Sequence, residues 1–172
     1  MHLPHSRLVL ALLLSSLFLV SCGGGGGGGS STTSNETING IVVPPEPDAT
    51  ANNATLAGVD SNSNGVRDDV ERQIAKAISS QADFSKSLLA AKTYQTILTS
   101  PAPTTRAQAL SQYTPLVCLS KIPGEVPKKL RAISGDTSIE NLTMNTGQRT
   151  VAMERFLGKL AFVAHGEVNC GP

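Results

Sequence analysis

The 172-residue chain contains no tryptophan, and its aromatic side chains are four Phe and two Tyr. A core built from this composition has to rest on Leu, Ile, Val and Ala. An excess of charge of one sign is missing as well, since 14 basic residues face 13 acidic ones. That balance excludes a nucleic-acid binder, which needs surplus Lys and Arg to displace counterions from the phosphate backbone. Charged residues in total are only 16%, too few for a wholly disordered, self-repelling chain. H-E-x-x-H, C-x-x-C, G-x-S-x-G and the P-loop are all absent, so no catalytic residue is named from motif. After the N-terminal run described next, no stretch is apolar enough to span a bilayer.

What is present begins with an address. Arg7, flanked by His2 and His5, precedes Leu8 to Val20, in which only Ser15 and Ser16 are polar. A positive start followed by a short apolar run is the layout of a signal peptide. At ~1.5 Å per residue the run covers roughly 20 Å, short of a ~30 Å hydrocarbon core. It ends in Leu19-Val20-Ser21-Cys22, which resembles the lipobox of bacterial lipoproteins. The resemblance implies that residues 1–21 are removed and that Cys22 is acylated and becomes the new N-terminus. Three acyl chains exceed the two signals needed for stable anchoring. Gly23 stands where the family's inner-membrane retention signal has Asp, so the resemblance places the protein on the outer membrane, facing the periplasm. Under that processing His165 is the one histidine retained. It lies near the chain's end and reads as a packed or capping residue. Glu140, Glu154 and Glu167 are scattered without a telling spacing.

Gly23 to Gly29 are consecutive glycines, followed by Ser30, Ser31, Thr32, Thr33 and Ser34. Ordering such a run costs the greatest backbone entropy and buries no side chain. Val42-Val43 could add a short edge strand, and Pro44-Pro45-Glu46-Pro47 favours an extended conformation. Residues 22–55 are therefore expected to be a disordered tether, with a coil reach of roughly 30 Å. Acids concentrate just before and within the following loop: residues 36–71 carry seven of them and a single base, Arg67. From Arg72 onward bases prevail, twelve to six. A mildly basic body of this kind reads chiefly as a solvated face.

Asp60-Ser61-Asn62-Ser63-Asn64-Gly65-Val66-Arg67-Asp68-Asp69-Val70-Glu71 fits D-x-[DN]-x-[DN]-G-x5-E without a gap. A calcium ion takes six to eight oxygens at about 2.3–2.6 Å from a loop that wraps it. Alternation turns Asp60, Asn62 and Asn64 inward, Gly65 permits the sharp turn, and the Val66 carbonyl follows. Asp68 ligates directly or through water, and Glu71 closes the shell with two oxygens. The segment resembles an EF-hand loop, and still more the single loops of dockerins and thrombospondin type 3 repeats, where an apolar residue follows the glycine. It departs from the EF-hand in having Arg67 where an apolar residue usually pairs sister loops. No second loop exists, and residues 52–58 are too short for a firm entering helix. The same residues also read as an Asn64-Gly65 turn followed by a capping-box-like Asp68/Glu71 helix start, which is compatible with calcium binding. With three formal negative charges and no sister loop, affinity is expected at about 10⁻⁴–10⁻³ M, suited to a structural ion.

The remainder, 56–172, is expected to be an all-α domain, a small bundle of four to five helices. Val66, Val70, Ile74 and Ile78 recur every four residues. A second helix covers Ala82 to Leu98, using Phe84, Leu88, Ala91 and Leu98. A third begins near Thr104 on a face of Ala107, Leu110, Thr114 and Val117, with Pro115 expected to kink or restart it. A short helix around Val126 to Ile133 and a last one from about Thr146 to Val168 complete the set. With Cys22 lipidated, export to an oxidising compartment leaves Cys118 and Cys170 with one pairing, across 52 residues. The chain-entropy contribution of such a bridge is roughly 4 kcal/mol. The functional expectation is a lipid-anchored, periplasmic calcium-binding module. It would be held to the membrane through Cys22 and would act on an envelope protein or glycan in a structural or binding role. The alternative is a small enzyme or enzyme modulator acting on peptidoglycan.

Overall fold

Ile38-Asn39-Gly40-Ile41 makes a tight reversal because Asn39 and Gly40 both take positive φ, 52° and 80°. It joins two antiparallel strands, β1 (Glu36–Ile38) and β2 (Ile41–Val43), paired Glu36 to Val43, Thr37 to Val42 and Ile38 to Ile41. This hairpin opens the computed structural model, which describes residues 34–121, 138–161 and 168–170. Alternation buries Ile41 and Val43 and leaves Val42 exposed. The helices that follow are α1 (Ala49–Asn53), α2 (Asp68–Ala77), α3 (Gln81–Thr99), α4 (Arg106–Lys121), α5 (Ile139–Thr143) and α6 (Gly147–Leu160). The class is all-α, with the hairpin as its one sheet among the described residues.

The tether expectation is overturned over residues 34–55. Ile41 and Val43 join the core with Val70 and Ile74 of α2, and the Asn39 side chain donates to the Ala75 and Lys76 carbonyls at the C-terminal end of α2. Arg72 clamps the segment from α2. It donates to the Pro44 carbonyl at 2.8 Å and pairs with the carboxylates of Glu36 and Glu46. The hydrophobic strip Ile38-Ile41-Val43, short as it is, finds a helix face to cover, and the acids flanking it find a cation. Residues 22–33, with Cys22, lie outside the described residues, as do the helix expected at 126–133, His165 and Glu167.

Two apolar clusters meet along α3. The first joins the hairpin, Val66, Val70, Ile74, Phe84, Ala90, Ala91 and Ile139. The second joins Ile97, Leu98, Ala109, Met153, Phe156 and Leu160. At ~1.5 Å per residue the 19-residue α3 is about 28 Å long, enough to serve both. Ser80 caps it, accepting from the Asp83 N–H. The third expected helix forms as α4 and runs through Pro115 without restarting. Its buried face centres on Ala109, with Leu110, Tyr113 and Leu116 packed alongside, rather than on the exposed Ala107. The last helix is shorter than expected. It stops at Leu160, the final residue of its buried stripe, and Ala161 turns to φ 54°. The described structure joins Cys118 of α4 to Cys170, with their Cα atoms 5.4 Å apart.

Candidate metal centre

The segment from Asp60 to Glu71 folds back on its own alternate residues. Asp60 Oδ1 accepts the Asn64 N–H at 3.1 Å, and Oδ2 accepts that of Gly65 at 2.8 Å. Asn62 Oδ1 accepts the same Asn64 N–H, and Asn64 Oδ1 accepts that of Val66. These local bonds are what Asp and Asn side chains offer a turning backbone. Ser63 and Gly65 supply the turn, with φ of 57° and 89°. At Gly65 a β-carbon would press on the Lys92 side chain of α3, whose Nζ donates to the Asn64 carbonyl at 2.9 Å.

Asp68 does not act as a helix cap. Arg67 occupies the cap position of α2 without a side-chain cap bond, and the Asp68 carboxylate turns back to accept the Ser61 N–H through both oxygens, at 3.0 and 3.2 Å. The loop thus closes from its far end, and the capping-box expectation gives way because the carboxylate is drawn to the loop's own amide. Glu71, one turn later on α2, receives the side-chain amides of Asn62, at 3.4 and 3.3 Å, and of Asn64.

All six expected ligand positions therefore fall within one folded loop. The side chains of Asn62 and Asn64 converge on Glu71, while those of Asp60 and Asp68 hold backbone amides of the same loop. The Val66 side chain is buried in the first apolar cluster, which leaves its backbone as the relevant group. Electrostatics agree with the convergence. Burial raises the pKa of Glu71, and the nearby charges of Asp68 and Asp60 add to the rise against the lowering amide bonds from Asn64 and Asn62. Burial likewise raises that of Asp68, helped by Asp60 and Asp69 and opposed by the Ser61 bonds. Buried carboxylates that repel one another are the kind of groups whose charge a bound cation relieves.

The donor set fits a hard cation, being all oxygen: three carboxylates, two side-chain amides and a carbonyl. Among the described residues no group of three or more His, Cys, Asp or Glu side chains is arranged by itself to hold a metal ion, and half of this set is neutral. Each Asn amide currently aims its NH₂ at Glu71. Half a turn about its terminal torsion exchanges nitrogen for oxygen and offers Oδ1 instead.

Sequence reasoning missed what braces this loop. Arg67 and Arg149 are both 0% exposed. Arg67 pairs with Asp69 at 2.9 Å and donates to the Thr143 and Leu142 carbonyls and to Asn145 Oδ1. Arg149, from α6, donates to the carbonyls of Thr55, Leu56 and Asn52 and to the oxygens of Asn53 and Asn145. The two guanidiniums thereby sit at the C-terminal ends of α5 and α1, where the helix dipole favours a cation. Burial lowers the pKa of Arg149 to about 10, with the Arg67 charge adding and Asp69 opposing. Asp69 is held below the ordinary carboxylate value. Burial alone would raise it, but the Arg67 pairing and the Asn52 and Asn145 amides outweigh that. Gly58, φ 66°, passes between the two arginines, and a β-carbon there would collide with Arg67 Cδ, Asn52 Oδ1 and Arg149. The available signal was Arg67 itself, a charge where an apolar residue usually stands.

Of the carboxylates considered for catalysis, Glu140 lies beside Tyr94 and Tyr113 of the second cluster, raising the pKa of both after burial. Glu154 is exposed on α6. No protein family, no curated protein and no solved structure matches the chain.

Proposed function

We propose that this chain is a lipid-anchored periplasmic module of the cell envelope whose helical domain is ordered by a structural calcium ion and serves a structural or protein-binding role. The observation that carries the calcium reading is the closure of the 60–71 loop, with the amides of Asn62 and Asn64 on Glu71 and the carboxylates of Asp60 and Asp68 on the loop's own amides. The ion would supply charge neutralisation for Asp60, Asp68 and Glu71 and fix the start of α2. Because Arg67 lies inside the loop and reaches α5, an ordered loop also orders the contact between α2 and α5. The anchoring part of the reading rests on the lipobox resemblance at Leu19-Val20-Ser21-Cys22.

Thermal melts in calcium and in chelator test the metal. Calcium should raise Tm, and Asp60→Ala should remove the rise, from a chelator-state melt itself lowered by loss of the bonds to the Asn64 and Gly65 amides. Equal melting of the parent protein in both conditions refutes the calcium reading. Mass spectrometry of envelope-extracted protein tests the anchor: a chain beginning at acylated Cys22 supports it, and an intact or unacylated N-terminus refutes it.

A further inference from the structure

A cleft of about 400 Å³ opens between α1, the start of α2 and α5. That volume lies within the ~300–1,000 Å³ range of small-ligand sites. Its wall is unusually rich in carboxamides: Asn52 and Asn53 from α1, Gln73 from α2, Asn141 from α5, and Asn145. Two carboxylates, Asp69 and Glu46, also line it, but each is already paired, with Arg67 and Arg72 respectively. Pro47, Ala49 and Leu142 supply the apolar part.

The electrostatics select the ligand by elimination. Among the described residues no Lys, Arg or His lines the cleft, so nothing in that lining attracts an anion. The two carboxylates are neutralised by guanidiniums, which removes the attraction for a cation. Polar and apolar surface line it in similar measure, so a purely hydrophobic ligand would leave the polar half without partners. What remains is a neutral molecule dense in groups that both donate and accept hydrogen bonds. Carboxamides match hydroxyls in this respect, each carrying an acceptor oxygen and a donor NH₂.

Part of the wall is also pre-organised. Asn145 donates to Asp69 and accepts from both Arg67 and Arg149, so its amide has one orientation. Asn52 accepts the Val59 N–H and is 4% exposed. Gln73, Asn53 and Asn141 are exposed at the rim, Asn53 with its Oδ1 accepting from Arg149. Small apolar groups beside fixed amides suit a sugar ring, which has C–H faces and hydroxyl edges.

We propose that this cleft binds a neutral saccharide, of mono- or disaccharide size, through its carboxamide wall. The proposal does not depend on the calcium reading, since the loop's ligand residues do not line the cleft.

The test is an NMR titration of the full chain with three neutral disaccharides, cellobiose, maltose and di-N-acetylchitobiose, with glucuronic acid as the anionic control. At least one disaccharide should give saturable shifts centred on α1, Gln73 and α5, and the acid should bind more weakly. Ala49→Phe, which fills the cleft from an exposed position, should weaken binding about tenfold or more, and Gln73→Ala by several-fold, each with an unchanged melt. If Ala49→Phe does not fold, the surface variant Gln73→Ala decides alone. The proposal is overturned by the absence of saturable shifts with all three sugars up to about 50 mM, the weak end of measurable affinity. Shifts centred elsewhere, acid binding as strong as the sugars, or affinity unchanged by the variants would overturn it equally.

Discussion

Among the described residues Arg149 has no carboxylate partner, yet it is fully buried and holds five oxygen partners, four from residues 52–56 and one from Asn145. Its planar fork of five N–H groups is what makes that possible, and neither Lys nor a neutral residue can copy it. Arg149→Met should take the donor from the Asn52 and Thr55 carbonyls, leave that of Leu56 with the Gln95 amide alone, and lower stability by about 2–4 kcal/mol, read from urea unfolding. A loss below about 1 kcal/mol would mean that water replaces the guanidinium there. At Gly58 two effects add, a positive φ and a blocked β-carbon site. Gly58→Ala should therefore destabilise by more than the ~1 kcal/mol of conformational strain alone. Unchanged unfolding for that variant would show that the arginine pair can move aside.

At the scale of elements, the start of α2 carries two kinds of carboxylate with opposite pH behaviour. Asp69 has a lowered pKa in the folded state, so its contribution is present above its ordinary value of 3.8 and is lost as pH falls through the lower folded value. Asp68 and Glu71 have raised values, so in the metal-free protein their protonation on acidification favours the fold in the range above 3.8 and 4.5. Asp69→Asn should flatten the stability loss below about pH 4, measured by chemical unfolding across pH. In chelator, Glu71→Gln should remove part of the gain seen as pH drops toward that range; a pH profile identical to the parent's would contradict the crowding of carboxylates in the loop. The hairpin belongs to the same scale. Asn39-Gly40 between Thr37-Ile38 and Ile41-Val42 is a strong short-range hairpin signal, but Pro44, Pro45 and Pro47 beside it point locally to an extended tether. What made it a stable element was a partner surface, α2 with Arg72, on which its apolar side could be buried.

For the molecule as a whole, a core with few aromatics is divided into two clusters strung along α3, and α4 is tied to Cys170 by a bridge closing 52 residues. Reduction should lower stability by roughly 4 kcal/mol on the chain-entropy estimate. The oxidised protein should also show two fewer reactive thiols than the reduced one; equal counts would remove the bridge from the account.

The spacing of apolar residues specified α2 and α3 almost to their ends, because a 3.6-residue repeat records which face will be covered without saying by what. The loop motif likewise marked from sequence a segment that folds back on itself, since its bonds are local, made by Asp and Asn to amides within a few residues. The limits of the last helix, the fate of residues 34–55 and the buried arginines were settled only in three dimensions. Arg67 and Arg149 meet carbonyls 75 to 97 residues away, and nothing nearby in the chain distinguishes an arginine bound for such a place from one bound for solvent.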